Sequence, residues 1–153
     1  MNPKIFVRVQ PEIFEAAAEA AKLTEDRRDI GALVTFTGLC RDEAGTLAAL
    51  EIEHYPGMAE EEIARVAQEA VSRWPLDGII VIHRFGLIKP GEPIVLVTTA
   101  AAHRGEAFSA AAFLMDYLKT KAPFWKKQHL FEGPAEWVAA KAEDDTAAEK
   151  WRK

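Results

Sequence analysis

The sequence predicts an α+β fold, in which helices are interspersed among β-hairpins. Two nearly continuous runs of β-branched and apolar residues, 79–85 and 94–100, predict well-buried strands joined through a Pro-Gly turn. Apolar residues spaced three and four apart predict helices before and after these strands. The predicted order of elements is therefore β-α-β-β-α-β-β-α-β-β-α. Such an order favours an α+β protein over a doubly wound sheet.

The first third of the chain predicts a strand, a helix and a hairpin. Residues 5–9 alternate like an edge strand, and Pro11 begins an alanine-rich helix that runs to Leu23. A β-branched run, 30–37, predicts the second strand. The segment 47–55 alternates well enough to pair with it. We therefore expect the second and third strands to be neighbours.

The second helix has a clear beginning, face and end. Glutamates at positions 60–62 occupy its first turn, where the helix dipole favours acids. One apolar stripe follows the helical spacing and should face the core. The stripe consists of Ile63, Val66, Ala67, Ala70, Val71 and Trp74. Pro75 should end this helix.

The segment from Met115 to Lys127 indicates an anion site. It holds four lysines and a single acid, although the whole chain carries 19 basic and 24 acidic residues. The lysines are Lys119, Lys121, Lys126 and Lys127. A surplus of positive charge in a chain of net charge −5 is a local feature. A simpler interpretation is that these lysines bind no ligand: they extend over the core to reach water and interact with the helix dipole.

Helix and strand periodicity predict that two of these lysines meet. An apolar stripe on the third helix should consist of Phe108, Ala111, Ala112, Met115 and Leu118. Lys119 would lie at its edge, where partial loss of water disfavours the charged amine. Pro123 ends the helix, and alternation in the next strand puts Lys126 and Gln128 on one face. Lys119 and Lys126 could then share a site.

Three more cationic or titratable residues complete a predicted basic set. Arg41 follows the glycine that ends the second strand, and His103 and Arg104 open the third helix, where free N–H groups attract anions. Each residue alone is weak evidence, because arginines in loops and histidines at helix starts are common. The prediction is that they converge with the two lysines.

Composition limits the other classes of function. The net charge argues against a general nucleic-acid binder. The sequence has neither a zinc-ligand spacing nor a phosphate-binding glycine loop, so we expect no metal and no cofactor. The lone Cys40 fits a reducing, cytoplasmic compartment, and no apolar run or leader predicts a membrane span or export. Residues 1–153 should form one domain. A cysteine nucleophile activated by Arg41 is a further hypothesis.

A series of motifs, in order and with similar spacing, resembles a known family over nearly the whole chain. The motifs are Val34-Thr35-Phe36-Thr37-Gly38 with Arg41; Glu53-His54-Tyr55-Pro56-Gly57-Met58; Ile82-His83-Arg84 with Gly86; His103-Arg104 with Ala107-Phe108; Met115 through Thr120; and Ala122 through Lys126. The family is the large, catalytic subunit of molybdopterin synthase, often called MoaE.

This resemblance implies an activity, a fold and a partner. Members of the family convert cyclic pyranopterin monophosphate (precursor Z) into molybdopterin by installing two dithiolene sulfurs. The sulfur is delivered by a small ubiquitin-like, MoaD-like subunit that ends in a Gly-Gly thiocarboxylate. Two such subunits assemble on a homodimer of the large subunit to form a heterotetramer. The implied fold is an α/β hammerhead with an additional antiparallel β-sheet.

The resemblance also assigns residues by position. Lys119 and Lys126 would be the catalytic lysines, and six further residues would bind substrate or partner tail. These six are Phe36, Arg41, His103, Arg104, Met115 and Lys141. Gln128 stands where the family commonly has Glu, and Lys141 stands where an arginine is expected to reach across the dimer. The alternative is a non-catalytic anion-binding or assembly module of the same fold.

Overall fold

Two four-stranded sheets and four helices make up the described part of the chain. The computed structural model describes residues 2–139 and 142–152. The strands are β1 (Lys4–Gln10), β2 (Ala32–Leu39), β3 (Leu47–His54), β4 (Leu76–Arg84), β5 (Gly86–Ile88), β6 (Pro93–Ala101), β7 (Phe124–Leu130) and β8 (Glu136–Trp137). The helices are α1 (Ala16–Thr24), α2 (Met58–Arg73), α3 (Arg104–Thr120) and α4 (Ala142–Glu149). Within the described residues, every helix is too short or too polar to span a membrane. The mixed architecture confirms the predicted α+β class.

The first sheet has the strand order β1-β4-β6-β2 and lies between two apolar layers. β1 runs parallel to β4, and the other neighbours are antiparallel. Ile79 and Val81 on β4 join the larger core, while Ile80 and Ile82 point to the smaller core beneath α1. Burial on both faces explains why this strand reads as a continuous apolar run. The predictions of buried central strands and of an edge strand at β1 are confirmed.

The second sheet is antiparallel, with the order β5-β3-β7-β8. Its central strand β3 pairs with β5 and β7, so the predicted pairing of β3 with β2 is wrong. Alternation fixes which side chains face the core, and Leu50 and Ile52 are indeed buried, but it does not select the neighbouring strand. The predicted order also lacked β5, which is only three residues long.

The start of α1 differs from the prediction, whereas the start and end of α2 agree with it. α1 begins at Ala16, so the prediction that Pro11 opens it is wrong. The carbonyl of Pro11 instead accepts a hydrogen bond from Arg84 Nε at 3.0 Å, which ties this segment to the end of β4. α2 begins after Gly57, whose N–H donates to Glu60 Oε1 at 3.1 Å, and it ends just before Pro75. Its predicted stripe is buried from Ile63 to Ala70.

α3 buries a different face from the predicted one. Phe108 is 61% exposed and Ala112 is exposed, and only Ala111 of the predicted stripe is buried. The buried residues of α3 are Ala107, Ala110, Ala111, Phe113, Leu114 and Tyr117. The helix is apolar or alanine on most of its circumference, so several faces satisfy the helical spacing. Packing against the sheets decides among them, and Met115 and Leu118 are left half-buried at the boundary.

Candidate active site

A small pocket, here called the lysine pocket, forms where α3 and β7 meet the edge of the first sheet. Its volume is about 50 Å³. The lining residues are Phe36, Gly38, Leu39, His83, Ile94, Val95, Met115, Leu118, Lys119 and Lys126. Five elements contribute to it, namely β2, β4, β6, α3 and β7. The walls are therefore mostly apolar, and the polar groups are two lysines and one histidine.

The chain brings Lys119 and Lys126 together by a tight connection between α3 and β7. The N–H of Lys121 donates to the Tyr117 carbonyl at 2.8 Å and closes the helix. The N–H of Phe124 donates to the Ala122 carbonyl at 2.8 Å and turns the chain into β7. Pairing of Lys126 with Ile52 then fixes the position of the second lysine in the sheet. The sequence prediction that these two lysines meet agrees with this geometry.

The two lysines differ in exposure. Lys119 is exposed in the single chain, so the expected loss of water at the stripe's edge is not observed there. Lys126 is half-buried. Lys119 therefore lies on the open side of the pocket and Lys126 lies deeper.

His83 forms a buried part of the pocket wall. Its side chain is only 4% exposed, and its ring stacks on Phe124 with centroids 3.8 Å apart and planes 12° apart. Burial, together with the positive charges of Lys126 and Lys119, lowers the pKa of His83 to about 3, and the Arg84 carbonyl offsets only part of this shift. The imidazole is therefore neutral at physiological pH. Sequence reasoning gave His83 no role, although a polar residue inside a buried apolar strand is a signal in itself.

Gly38 is required by the close approach of β2 to β6. A Cβ atom at this position would lie 2.7 Å from Val95 Cγ1 and 3.5 Å from the ring of Phe36. Any larger residue would push the Phe36 ring or β6 aside and close the pocket. Phe36 itself is 42% exposed and lines the pocket together with the half-buried Met115.

The other predicted basic residues lie elsewhere in the single chain. Arg41 is exposed and forms an ion pair with Glu43. His103 and Arg104 begin α3, about 22 Å along the helix from Lys119 at 1.5 Å per residue. Lys141 lies outside the described residues. One chain thus gathers Lys119, Lys126, Phe36 and Met115, but it does not bring the remaining basic residues to them.

Gln128 follows Lys126 on the same face of β7 but does not line the pocket. It pairs with Leu50 on one side and with Glu136 on the other. An acid at this position would lie beside the lysine pocket on the sheet. Because Gln128 is uncharged, it does not neutralise the positive charge of the two lysines.

Cys40 lacks the environment of a nucleophile. Its side chain is 3% exposed, and burial raises the pKa of the thiol, as do the carboxylates of Glu92 and Asp42. The thiol donates a weak hydrogen bond to the Ile88 carbonyl, which lies 3.9 Å from Sγ. Arg41 pairs with Glu43 rather than activating the thiol. The hypothesis of an activated cysteine is wrong for this structure.

A larger cavity on the opposite face of α3 holds none of the predicted site residues. It measures about 710 Å³ and lies between α2, α3 and the C-terminal segment that contains α4. Its arginines Arg65 and Arg73 form ion pairs with Glu62 and Glu69 at 3.1 and 3.0 Å. Size alone does not indicate the site, because two of this cavity's cations, Arg65 and Arg73, are already paired with glutamates.

The chemistry available at the lysine pocket is anion stabilisation. A volume of about 50 Å³ holds one or two water-sized groups, so it admits the end of an extended chain but not a bicyclic substrate. Fixed cations in a partly apolar site stabilise negative charge that develops during a reaction. In the described residues, no three acidic, cysteine or histidine side chains come together as a metal site.

Comparisons with known proteins point to one family. The family model described as "MoaE protein" matches residues 9–121. The molybdopterin synthase catalytic subunit of Mesorhizobium japonicum is 62% identical over 147 residues, which cover 95% of this chain and 92% of that one. The solved structure of molybdopterin cofactor biosynthesis protein E from Burkholderia multivorans has a TM-score of 0.82 at 46% identity and covers 97% of both chains. A complex of subunits 1 and 2 of the molybdopterin-converting factor from Helicobacter pylori shares the fold, with a TM-score of 0.69 at 17% identity over 90% of each chain.

Proposed function

The chain belongs to the MoaE protein family, and we propose that it is the catalytic subunit of a molybdopterin synthase. In this role it transfers sulfur from the C-terminal thiocarboxylate of a small ubiquitin-like subunit to precursor Z. Two such transfers form the dithiolene of molybdopterin. The observation that carries this proposal for the chain's own residues is the meeting of Lys119 and Lys126 in one pocket.

The size of the lysine pocket supports a slim, anionic occupant. A Gly-Gly terminus has no side chains, so its backbone can pass between Phe36 and Met115 and place the thiocarboxylate beside the lysines. The pterin is too large for about 50 Å³ and would lie at the mouth. The thiocarboxylate then reaches the lysines while its sulfur faces the substrate.

Each transfer exchanges sulfur for oxygen on the acyl carbon. The thiocarboxylate sulfur forms a bond to a side-chain carbon of precursor Z while a C–O bond at that carbon breaks, and the departing oxygen takes up a proton. Water then attacks the acyl carbon, the acyl C–S bond breaks, and the sulfur stays on the pterin while the small subunit ends in a carboxylate. Negative charge develops on the acyl oxygen during release, where Lys119 and Lys126 can stabilise it. A protonated lysine can also supply a proton to the departing group.

We propose that a homodimer completes the substrate site. β2 is an edge strand of the first sheet and exposes Leu33 and Leu39, as well as Phe36 at the pocket mouth. An unpaired edge with exposed apolar residues favours association with another chain. A second copy would supply His103, Arg104 and Lys141 to the phosphate of precursor Z, with Arg41 from either copy. Two small subunits would then make a heterotetramer. The buried free thiol of Cys40 fits a reducing, cytoplasmic location.

Product formation separates this enzyme from a non-catalytic module of the same fold. The purified chain is mixed with precursor Z and with a small subunit that ends either in a thiocarboxylate or in a carboxylate. We expect a dithiolene product, detected by mass spectrometry, only with the thiocarboxylate. Binding of both ligands with no product would favour the assembly module and refute the proposed function.

A further inference from the structure

His83 and Lys126 both line the lysine pocket, beside one face of β7. The ring of His83 stacks flat on Phe124, with centroids 3.8 Å apart. Side chains two residues apart on a strand point to the same face, about 7 Å from each other. Lys126 is therefore the next residue on the face that His83 covers, and both side chains line the lysine pocket. His83 thus shares a pocket with a lysine to which we assign chemistry.

Hydrogen bonding fixes which nitrogen of His83 carries the proton. Nδ1 lies 2.8 Å from the carbonyl oxygen of Arg84, the residue that follows it. A carbonyl oxygen can only accept, so Nδ1 must be protonated and donate to it. In a neutral imidazole the other nitrogen, Nε2, then has a free lone pair. The buried ring therefore offers an acceptor on the edge away from the Arg84 carbonyl.

We infer that His83 is a positioning residue that accepts a hydrogen bond from the ammonium group of Lys126 through Nε2. An ammonium group has three donors and no acceptor, so a neutral imidazole is a suitable partner for it. Because the ring carries no charge, it orients the lysine without neutralising it. A carboxylate in the same place would cancel the positive charge that an anionic ligand needs.

The inference rests on the proposed function only for its effect on sulfur transfer. Lys126 has a long, flexible side chain, and fixing its end avoids an entropic cost at the moment of reaction. The strand pairing of Lys126 with Ile52 holds its backbone, and His83 would hold the other end. The hydrogen bond itself can be observed whether or not the chain makes product.

Nitrogen NMR of the histidine rings tests the hydrogen bond directly. In protein with ¹⁵N-labelled histidines, His83 should show a protonated Nδ1 and an unprotonated Nε2. Lys126→Met should shift the Nε2 resonance towards that of a free acceptor, and Lys119→Met should leave it in place. A protonated Nε2, or a shift that follows Lys119 instead of Lys126, would overturn the inference without bearing on the proposed function.

Three substitutions of His83 separate positioning from packing. Gln can place an acceptor oxygen near the position of Nε2, Asn can keep only the donor to Arg84, and Phe keeps only the stack on Phe124. We expect His83→Gln to retain much of the sulfur-transfer rate, and His83→Asn and His83→Phe to lose about 10- to 100-fold, the effect of one hydrogen bond to a charged group. His129→Gln, on the opposite face of β7, is the matched control and should keep the wild-type rate.

Folding is measured on the same preparations so that the rates can be interpreted. Urea midpoints for the Gln, Asn and Phe variants show which of them are folded, and rates are compared among folded variants only. If Asn or Phe is as active as Gln, His83 does not act through an acceptor at Nε2 and the inference is overturned. If only the variants with an acceptor are active and the Nε2 shift follows Lys126, it is supported.

Discussion

Replacing Lys119 by alanine should abolish most product formation and leave the fold nearly unchanged. Lys119 is exposed in the last turn of α3 and makes no hydrogen bond or ion pair within the described part of the chain. Its loss removes a favourable interaction with the helix dipole of about 0.3–1 kcal/mol, which the higher helix propensity of alanine partly offsets. We therefore expect the free energy of unfolding to fall by less than about 1 kcal/mol.

The expected loss of activity is much larger than this change in stability. Removing one group that stabilises a developing oxyanion lowers turnover about 10²- to 10³-fold, or about 2.7–4 kcal/mol. Initial rates with the thiocarboxylated small subunit and precursor Z, and urea unfolding of the same preparations, measure both quantities. Lys121→Ala is the matched control, because Lys121 follows the same helix but lines the cavity on its other face.

Two results would refute this reasoning. Near-normal turnover by Lys119→Ala would show that the charge is not used in the reaction. An equal loss in Lys121→Ala would show that general positive charge, rather than the lysine pocket, determines the rate. A wild-type rate for Lys121→Ala with a strong loss for Lys119→Ala is the result that the pocket geometry predicts.

Three further predictions concern the partner, the thiol and acid stability. Lys126→Glu should weaken binding of the small subunit, measured by calorimetry, at least about tenfold, because the new carboxylate repels the anionic tail. A small subunit that lacks its Gly-Gly tail should bind the wild-type chain and Lys126→Glu equally weakly. If the wild-type chain bound full-length and truncated subunits with equal affinity, the docking site would lie elsewhere. Cys40→Ser should keep its sulfur-transfer rate because the thiol is buried with a raised pKa, and lost activity at unchanged stability would restore a thiol mechanism. The pKa of His83 is about 3 in the folded chain and about 6.5 in the unfolded chain, so the unfolded chain binds the proton more tightly. The contribution of neutral His83 to the free energy of unfolding is therefore complete above pH 6.5 and is lost as the pH falls towards 3. The slope of this loss approaches about 1.4 kcal/mol per pH unit. His83→Phe should show a shallower acid dependence than wild type, and parallel curves would contradict this prediction.

The sequence predicted most of the fold because burial leaves a local signature. The β-branched runs of β4 and β6 predicted buried strands, and the spacing of Ile63, Val66 and Ala70 marks the core face of α2. The same logic failed at α3, where alanines make several faces equally apolar, and at β3, where alternation does not identify the neighbouring strand.

The sequence predicted only the part of the candidate site that consecutive elements of the chain form. Lys119 and Lys126 are joined by a short turn, so helix and strand periodicity were enough to bring them together. His83 reaches the pocket from a distant strand and could not be placed without the sheet order. His103 and Arg104 are separated from Lys119 by the length of α3, a distance that residue types alone do not reveal.

The origin of the transferred sulfur tests the central claim most directly. The small subunit is prepared with a ³⁴S-labelled thiocarboxylate, incubated with precursor Z and the unlabelled wild-type chain, and the product is analysed by mass spectrometry. The account predicts that both sulfur atoms of the dithiolene carry the label and that the spent small subunit ends in a carboxylate. A dithiolene that contains unlabelled sulfur, or an unchanged thiocarboxylate after product has formed, would contradict it.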